Sequence, residues 1–217
     1  MRRLVLPAVA AALLALAPAA IGAAPACRLV TDPKGDDRIT GDASTPDGVY
    51  DDSDLDVVTA DIATNAREVT VVFRTTTLRE DDPDSPTGRQ YSFAFADGER
   101  KYAIDAILSN GLDENYASVS RNGVNVGNAV VRPYWTLGVV TISAPLTYFT
   151  PPLARDRRLT GFDVWTYHHY FFGGLRLGLP AGYGMSGGGG GTGQSVDHAT
   201  SKASYAPGSP SCVRVGR

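Results

Sequence analysis

Cysteine, histidine and basic clusters are scarce in this sequence, and each scarcity argues against a class of function. Only two cysteines and three histidines occur among 217 residues, without the spacing of a zinc site. His168 and His169 are adjacent, so on a strand they would point to opposite faces and could not share one ion. The formal net charge is −3 and no basic patch is present, so a nucleic-acid partner is not expected.

Long hydrophobic segments are also scarce, and the one that is present lies at the N-terminus. Two arginines precede a stretch rich in Ala and Leu (4–20), and Ala24-Pro25-Ala26 follows it. This pattern predicts a signal peptide over residues 1–26 and therefore a secreted, extracellular protein. The run is short for a membrane span and no second one follows, so we expect no membrane span. Cleavage would take the net charge from −3 to −5, because both arginines leave.

The two cysteines, Cys27 and Cys212, lie near the two ends of the exported chain. In an oxidising compartment an even number of cysteines favours a disulfide bond, so we expect Cys27 and Cys212 to be bridged. The alternative is a protein that is lipid-anchored through Cys27. The preceding residues lack the Leu that is usual before a lipidated cysteine, and acylation would leave Cys212 without a partner.

Alternating apolar residues and turn dipeptides recur every 10–15 residues from residue 55 to residue 172. Asp97-Gly98 and Asn122-Gly123 each separate two such runs, which is the signature of a β-hairpin. The pattern predicts an all-β protein: residues 27–217 form a single antiparallel β-sandwich, jelly-roll-like, after the cleaved signal peptide. Glycine is concentrated in residues 182–193, for which we expect a flexible loop.

The segment from Asp32 to Asp61 is strongly acidic. Its ten aspartates are opposed only by Lys34 and Arg38, which leaves a formal charge of −8. One interpretation is a solvated loop in which Asp side chains cap turns. The spacing suggests more, because in an extended chain three alternating carboxylates share one face and repel each other unless a cation lies among them. These three are Asp52, Asp54 and Asp56.

Calcium suits this cluster, because it binds about six to eight oxygen ligands from carboxylates, carbonyls and water. An EF-hand that starts at Asp52 is excluded, since Val57 and Ala63 stand where the loop needs Gly and Glu. A calcium site would therefore be assembled from several segments. The further ligands that we expect are Asp32, Asp36 and Asp197.

Aromatic residues are concentrated near position 165 and offer the best candidate ligand surface. In a strand, Trp165, Tyr167 and His169 share one face, and Trp135 is a further candidate. If this face is exposed, its rings can stack on sugars or contact a protein. The alternative is that these residues are core aromatics of the sandwich.

A serine hydrolase is an alternative hypothesis for the function. Ser186 lies in a G-x-S-x-G motif, and Asp197 and His198 follow in the chain order of a hydrolase triad. The motif requires a strand before it and a helix after it, whereas here a run of glycines follows. A chance match in a glycine-rich stretch is the simpler explanation.

Short motifs resemble a family of secreted actinobacterial β-sandwich proteins, which are similar to family-nine carbohydrate-binding modules and DOMON-like domains. These motifs are "DPKGDD", "DLDVVTADIAT", "VTVVFRTTTL" and "YAPGSPSC". The resemblance implies an antiparallel sandwich with a structural calcium ion near the acidic loop and an aromatic sugar site. We therefore expect a non-catalytic extracellular binding module whose partner is a polysaccharide or a cell-envelope component. A structural or partner-binding envelope protein without a small ligand is the remaining alternative.

Overall fold

The computed structural model describes residues 28–36, 53–80, 88–109, 115–153, 155–170 and 192–209. Two short 3-10 turns, Trp135–Leu137 and Leu146–Tyr148, are the only helical elements in these ranges. The other regular elements are strands: β1 (Val30–Thr31), β2 (Val57–Thr64), β3 (Glu68–Thr75), β4 (Arg89–Asp97), β5 (Arg100–Leu108), β6 (Tyr116–Arg121), β7 (Val124–Asn128), β8 (Val130–Tyr134), β9 (Val139–Pro145), β10 (Leu159–Tyr170) and β11 (Thr192–Ser201).

The strands form two sheets, and within each sheet every pair of neighbouring strands is antiparallel. The five-stranded sheet has the order β1-β2-β3-β9-β8, and the six-stranded sheet has the order β11-β10-β4-β5-β6-β7. The prediction of an all-β sandwich is therefore confirmed. The short strand β1 and the long strand β11 are edge strands of different sheets, and they lie against each other along one side of the sandwich.

The core lies between the sheets and follows the alternation of the strands. In β4 the side chains of Tyr91, Phe93 and Phe95 are buried, whereas the residues between them are less so. Burying an aromatic or branched side chain stabilises the fold by about 1.5–3 kcal/mol. Four more rings join these in one aromatic cluster. They are Phe73 from the five-stranded sheet, Tyr102 and Phe162 from the six-stranded sheet, and Phe149, which follows the second 3-10 turn.

Both hairpins predicted from turn dipeptides are confirmed. Gly98 has φ 62° in the turn that joins β4 to β5, and Asn122 and Gly123 have φ 51° and 81° in the turn that joins β6 to β7. Positive φ at both central residues is the type I′ geometry that Asn-Gly adopts readily. These two turns join two successive pairs of strands in the six-stranded sheet, β4 with β5 and β6 with β7.

The apolar run that follows the Asn122-Gly123 turn, residues 124–131, does not form a single strand. The chain leaves the six-stranded sheet after Asn128, passes through Ala129 and enters the five-stranded sheet as β8. The backbone N–H of Ala129 still bonds to the Ala117 carbonyl, so the crossing needs no long loop. Gly127, just before the crossing, lets the Tyr148 ring pack against the backbone, because the ring occupies the space that a Cβ atom would need.

Several predictions fall on residues that the structure does not describe. The signal peptide (1–26), Cys27 and Cys212 with their expected disulfide, and most of the glycine-rich stretch 182–193 lie outside the described residues. Thr192 and Gly193, which we expected in the loop, belong to β11 instead. No helix in the described ranges has the length and hydrophobicity needed to cross a membrane.

Candidate metal centre and aromatic surface

Four aspartates converge where the edge strands β1 and β11 meet. Asp32 and Asp36 follow β1, Asp56 immediately precedes β2, and Asp197 lies within β11. Successive side chains of a strand point to opposite faces, so in β11 Asp197 points inward and is buried, whereas His198 faces outward. The sandwich therefore brings the acidic segment and the C-terminal strand together, as the sequence predicted for Asp32, Asp36 and Asp197.

The spacing of these carboxylates suits a calcium ion. Asp32, Asp36 and Asp197 each offer one oxygen, and these three oxygens all lie within 4.8 Å of one another. Calcium–oxygen bonds of about 2.3–2.6 Å allow ligand oxygens on opposite sides of the ion to be roughly 5 Å apart. The donor set consists only of carboxylate oxygens, which is what a hard cation such as calcium prefers and zinc does not.

Backbone hydrogen bonds hold the ligands in place. Asp197 Oδ2 accepts the Val57 N–H at 2.8 Å, and its Oδ1 accepts the His198 N–H at 2.7 Å. Asp56 Oδ2 accepts the Gly35 N–H at 3.0 Å and a hydrogen bond from the Thr76 hydroxyl. The loop that carries Asp32 and Asp36 is thereby tied to the start of β2.

Two carboxylate oxygens in this cluster have no hydrogen-bond partner. Asp32 Oδ2 and Asp56 Oδ1 are both buried and accept no hydrogen bond from a described residue. Asp56 is only 1% exposed, so bulk solvent does not reach it. A buried polar atom without a partner costs about 1–3 kcal/mol, and more when it is charged. A cation held by Asp32, Asp36 and Asp197 would remove this cost for Asp32, so these three residues fit calcium, whereas Asp56 lies beside the group.

The electrostatics of the cluster also favour a cation. Burial raises the pKa of Asp32 from the usual 3.8 to about 8, and the nearby carboxylates of Asp197, Asp36 and Asp56 contribute further. Burial also raises the pKa of Asp197, although hydrogen bonds from Val57, Asp32 and His198 oppose the shift. Without a cation, Asp32 therefore keeps its proton and bonds to Asp197, because the buried carboxylates repel each other when ionised.

Asp54 does not belong to this cluster, and the expectation that it faces the metal beside Asp56 is corrected. Residues 53–55 form a turn and β2 begins only at Val57, so the extended alternation does not exist there. The Asp54 carboxylate instead pairs with the buried guanidinium of Arg89 and accepts the Arg79 N–H at 2.8 Å. A buried arginine needs a counter-charge, and Asp54 supplies it. Asp52, also predicted as a ligand, lies outside the described residues.

A second group of predicted site residues lies on the outer face of the six-stranded sheet. In β10, Phe162, Val164 and Thr166 are buried, whereas Trp165 and Tyr167 are partly exposed on the other face. The two rings lie 6.0 Å apart with an interplanar angle of 14°. Trp165 and Tyr167 are therefore surface residues and not core aromatics. The side chain of His169, the third residue predicted for this face, is outside what the structure describes.

His198 and Asp163 complete this surface, and the sequence did not identify either as part of it. The His198 ring stacks on the Trp165 indole with centroids 3.5 Å apart, and its Nε2 lies 2.7 Å from Asp163 Oδ1. Only the β10–β11 register, which places Trp165 opposite His198, could have revealed this contact. Burial, with the nearby Asp105 and Asp163 carboxylates, raises the pKa of Tyr167 to about 12, so its hydroxyl keeps its proton. We call Trp165, Tyr167, His198 and Asp163 the aromatic surface.

Trp135 is not part of the aromatic surface, which corrects the expectation that it joins Trp165. It lies in the 3-10 turn after β8 of the other sheet and packs against the hydrophobic core. The Arg89 guanidinium lies 5.5 Å from the centre of its ring, a cation–π arrangement. Trp135 therefore supports the buried Arg89–Asp54 pair.

The geometry does not support a hydrolase triad. Asp197 and His198 point to opposite faces of β11, and the His198 ring bonds to Asp163 instead of Asp197. Asp197 accepts only the backbone N–H of His198, so it does not orient the imidazole. Ser186, the expected nucleophile, lies outside the described residues.

Comparison with known proteins identifies no relative. No family model, no curated protein and no solved structure matches this chain. The fold defines the class of the protein as an all-β sandwich with two antiparallel sheets. The resemblance to carbohydrate-binding modules stays a prediction from the sequence.

Proposed function

We propose that this protein is a non-catalytic extracellular binding module that is stabilised by calcium and binds carbohydrate. Its partner would be a polysaccharide or another component of a cell envelope. The observation that carries the proposal is the convergence of Asp32, Asp36 and Asp197 at the side of the sandwich, where Asp32 Oδ2 is buried without a hydrogen-bond partner among the described residues. The export signal in the sequence supports an extracellular location, where calcium is available.

Calcium would act as a structural ion. Asp32, Asp36 and Asp197 would hold it, and Asp56 lies close enough to raise the pKa of Asp32. The ion supplies positive charge that replaces the shared proton of the carboxylates. Because Asp32 follows β1 and Asp197 lies in β11, the same ligands link the edges of the two sheets. Loss of the ion would therefore loosen one side of the sandwich.

The aromatic surface is the proposed contact for sugar. The partly exposed Tyr167 ring, and the part of Trp165 that His198 does not cover, provide flat apolar area for the faces of sugar rings, together with a polar edge. The Tyr167 hydroxyl, the His198 imidazole and the Asp163 carboxylate lie around these rings and provide donors and acceptors for sugar hydroxyls. This combination supports carbohydrate over a purely apolar ligand.

Thermal melting with and without EGTA tests the calcium part of the proposal. We expect the midpoint to fall when calcium is removed and to recover when it is added back. Polysaccharide pull-down and glycan arrays test the ligand class. Binding to a glycan supports the proposal, whereas its absence across soluble and insoluble polysaccharides favours a structural or partner-binding envelope protein. Labelling by a serine-reactive fluorophosphonate probe would instead favour the hydrolase.

A further inference from the structure

A polar groove lies on the outer face of the five-stranded sheet, next to the aspartate cluster formed by Asp32, Asp36 and Asp197. Its volume is about 650 Å³, and it is bounded by the β1 end and by the start of the loop after β1. It lies on a different sheet from the aromatic surface, which is on the outer face of the six-stranded sheet, and none of the four residues of that surface lines it. The proposed function does not use this groove.

The groove presents two cationic side chains that form no ion pair within the described ranges, beside the aspartate cluster. Arg28 and Lys34 both line it, both are exposed, and neither forms an ion pair with a residue in those ranges. A third cation, Arg74, is already paired with Asp61, whose carboxylate lies 2.8 Å away. Asp32, the other acid that lines the groove, belongs to the aspartate cluster, where a bound calcium ion would neutralise its charge.

The floor of the groove contains a hydroxyl group with an unused hydrogen-bonding capacity. Thr59 lines the groove, is 7% exposed, and its Oγ1 has no hydrogen-bond partner. Thr59 lies opposite Thr31 of β1 on one side and opposite Arg74 of β3 on the other. The row Thr31–Thr59–Arg74 therefore runs across three strands and offers hydroxyl groups beside the cations.

We propose that this groove is a binding site for an acidic sugar, with Arg28 and Lys34 binding its anionic group and Thr59 bonding one of its oxygens. Charge-assisted hydrogen bonds from two unpaired cations favour a carboxylate or a phosphate. Hydroxyl groups in a row favour a polyhydroxylated ligand over a bare anion. The inference rests on the proposed function only in taking the ligand to be a carbohydrate, because it needs neither Trp165 nor Tyr167.

Calorimetric titration tests the site with three probes: a galacturonate oligosaccharide, the matched neutral galactose oligosaccharide, and galactose phosphate. We expect one or both acidic probes to bind more tightly than the neutral one, and the better of the two identifies the anionic group. The titration is run with calcium and again with EGTA, and acid-selective binding in either buffer supports the site. Equal affinity for acidic and neutral probes in both buffers would overturn it.

Variants separate this groove from general charge attraction. Replacing both cations (R28Q with K34Q) should weaken the binding of the acidic probe by on the order of tenfold or more. The matched control replaces two exposed lysines elsewhere (K101Q with K202Q) and changes the net charge equally. T59V should also weaken binding without lowering the melting midpoint of the free protein, because it removes a hydroxyl that has no partner. Equal losses in the two double variants, or unchanged affinity in T59V, would contradict the proposal.

This design distinguishes failure of the groove from failure of the proposed function. W165A removes the aromatic surface and should leave the binding of the acidic probe to the groove unchanged. Loss of acidic binding in W165A, with no effect of R28Q and K34Q, would assign that binding to the aromatic surface and overturn the groove proposal.

Discussion

Asp197 accepts a hydrogen bond from the backbone N–H of Val57 at 2.8 Å, so a carboxylate of the last described strand fixes the start of β2. The two residues belong to different sheets and are far apart in the sequence. Each carboxylate oxygen has two lone pairs, so this bond leaves capacity for a metal ion. The contact places a C-terminal acid beside the N-terminal acids, and the candidate calcium site depends on it.

Asp36 gives the cleanest test of the calcium ligands. It is exposed and has no hydrogen bond or ion pair to another described residue, so Asp36→Asn should not disturb the fold itself. We expect this variant to melt in EGTA at or slightly above the parent, because a charge that repels Asp32 is removed, but to gain much less stability from calcium. The matched control is Asp156→Asn, which changes the charge equally at an exposed position away from the cluster. Thermal melting with and without calcium checks both variants, and an equal calcium response in the two would exclude Asp36 as a ligand.

Asp54 should behave differently from Asp36, although both belong to the acidic segment. Asp54→Asn removes the carboxylate that pairs with the buried Arg89 guanidinium. Breaking a buried pair in this way costs about 3–5 kcal/mol. We therefore expect a large loss in the free energy of unfolding, measured by denaturant titration, with the response to calcium preserved. Loss of the calcium response without loss of stability would show that Asp54 is a metal ligand after all.

The stability of the calcium-free protein should depend on pH through Asp32. Its pKa of about 8 in the folded protein lies above the usual 3.8, so the folded state binds more protons between these two values. The free energy of unfolding should therefore fall as the pH rises through this window. Asp32→Asn should make the decline shallower, because it removes the group that must ionise. Denaturant titrations of both proteins in EGTA across the window measure the difference, and parallel pH profiles would contradict the assignment.

Bound calcium should counteract this loss of stability as the pH rises. Calcium binds the ionised carboxylates and competes with protons, so its effect on the melting midpoint should increase as the pH rises. Melting curves at about pH 5 and about pH 8, each with calcium and with EGTA, measure this change. A calcium effect that is equal at both pH values, or larger at the lower one, would speak against carboxylate ligands whose pKa is raised.

Trp165 should matter for sugar binding and little for stability. Truncation of a central aromatic contact often costs at least about 2 kcal/mol, so Trp165→Ala should weaken polysaccharide binding more than tenfold. Tyr116, which is 47% exposed and lies on another strand of the same sheet, is the matched control for loss of an exposed ring. Quantitative pull-down and melting curves check the pair. If Tyr116→Ala weakens binding as much as Trp165→Ala, the aromatic surface is not the sugar site.

Local patterns were sufficient to predict the fold class. The alternation in β4 and β5 and the Asp97-Gly98 turn describe one hairpin within the chain, and no distant residue is needed to form it. The division of residues 124–131 between two sheets could not be predicted in this way. At this crossing the Tyr148 ring packs against Gly127, and such a contact between residues from separate elements gives no local signal in the sequence.

The candidate site was only partly predictable for the same reason. Asp32, Asp36 and Asp197 were found because a loop after the first strand and a late strand can meet at one side of a sandwich. Asp54 was misplaced because its partner, Arg89, is buried on a different strand and gives no signal near Asp54 in the sequence. His198 was missed as a partner of Trp165 because that contact depends on the register of β10 and β11.

Titration of calcium into the EGTA-treated, dialysed protein at neutral pH tests the central claim most directly. We predict a saturable calorimetric isotherm that is abolished or strongly weakened in Asp36→Asn and unchanged in Asp156→Asn. The absence of saturable binding in the parent protein, or equal affinity in the two variants, would show that the converging aspartates do not form a calcium site.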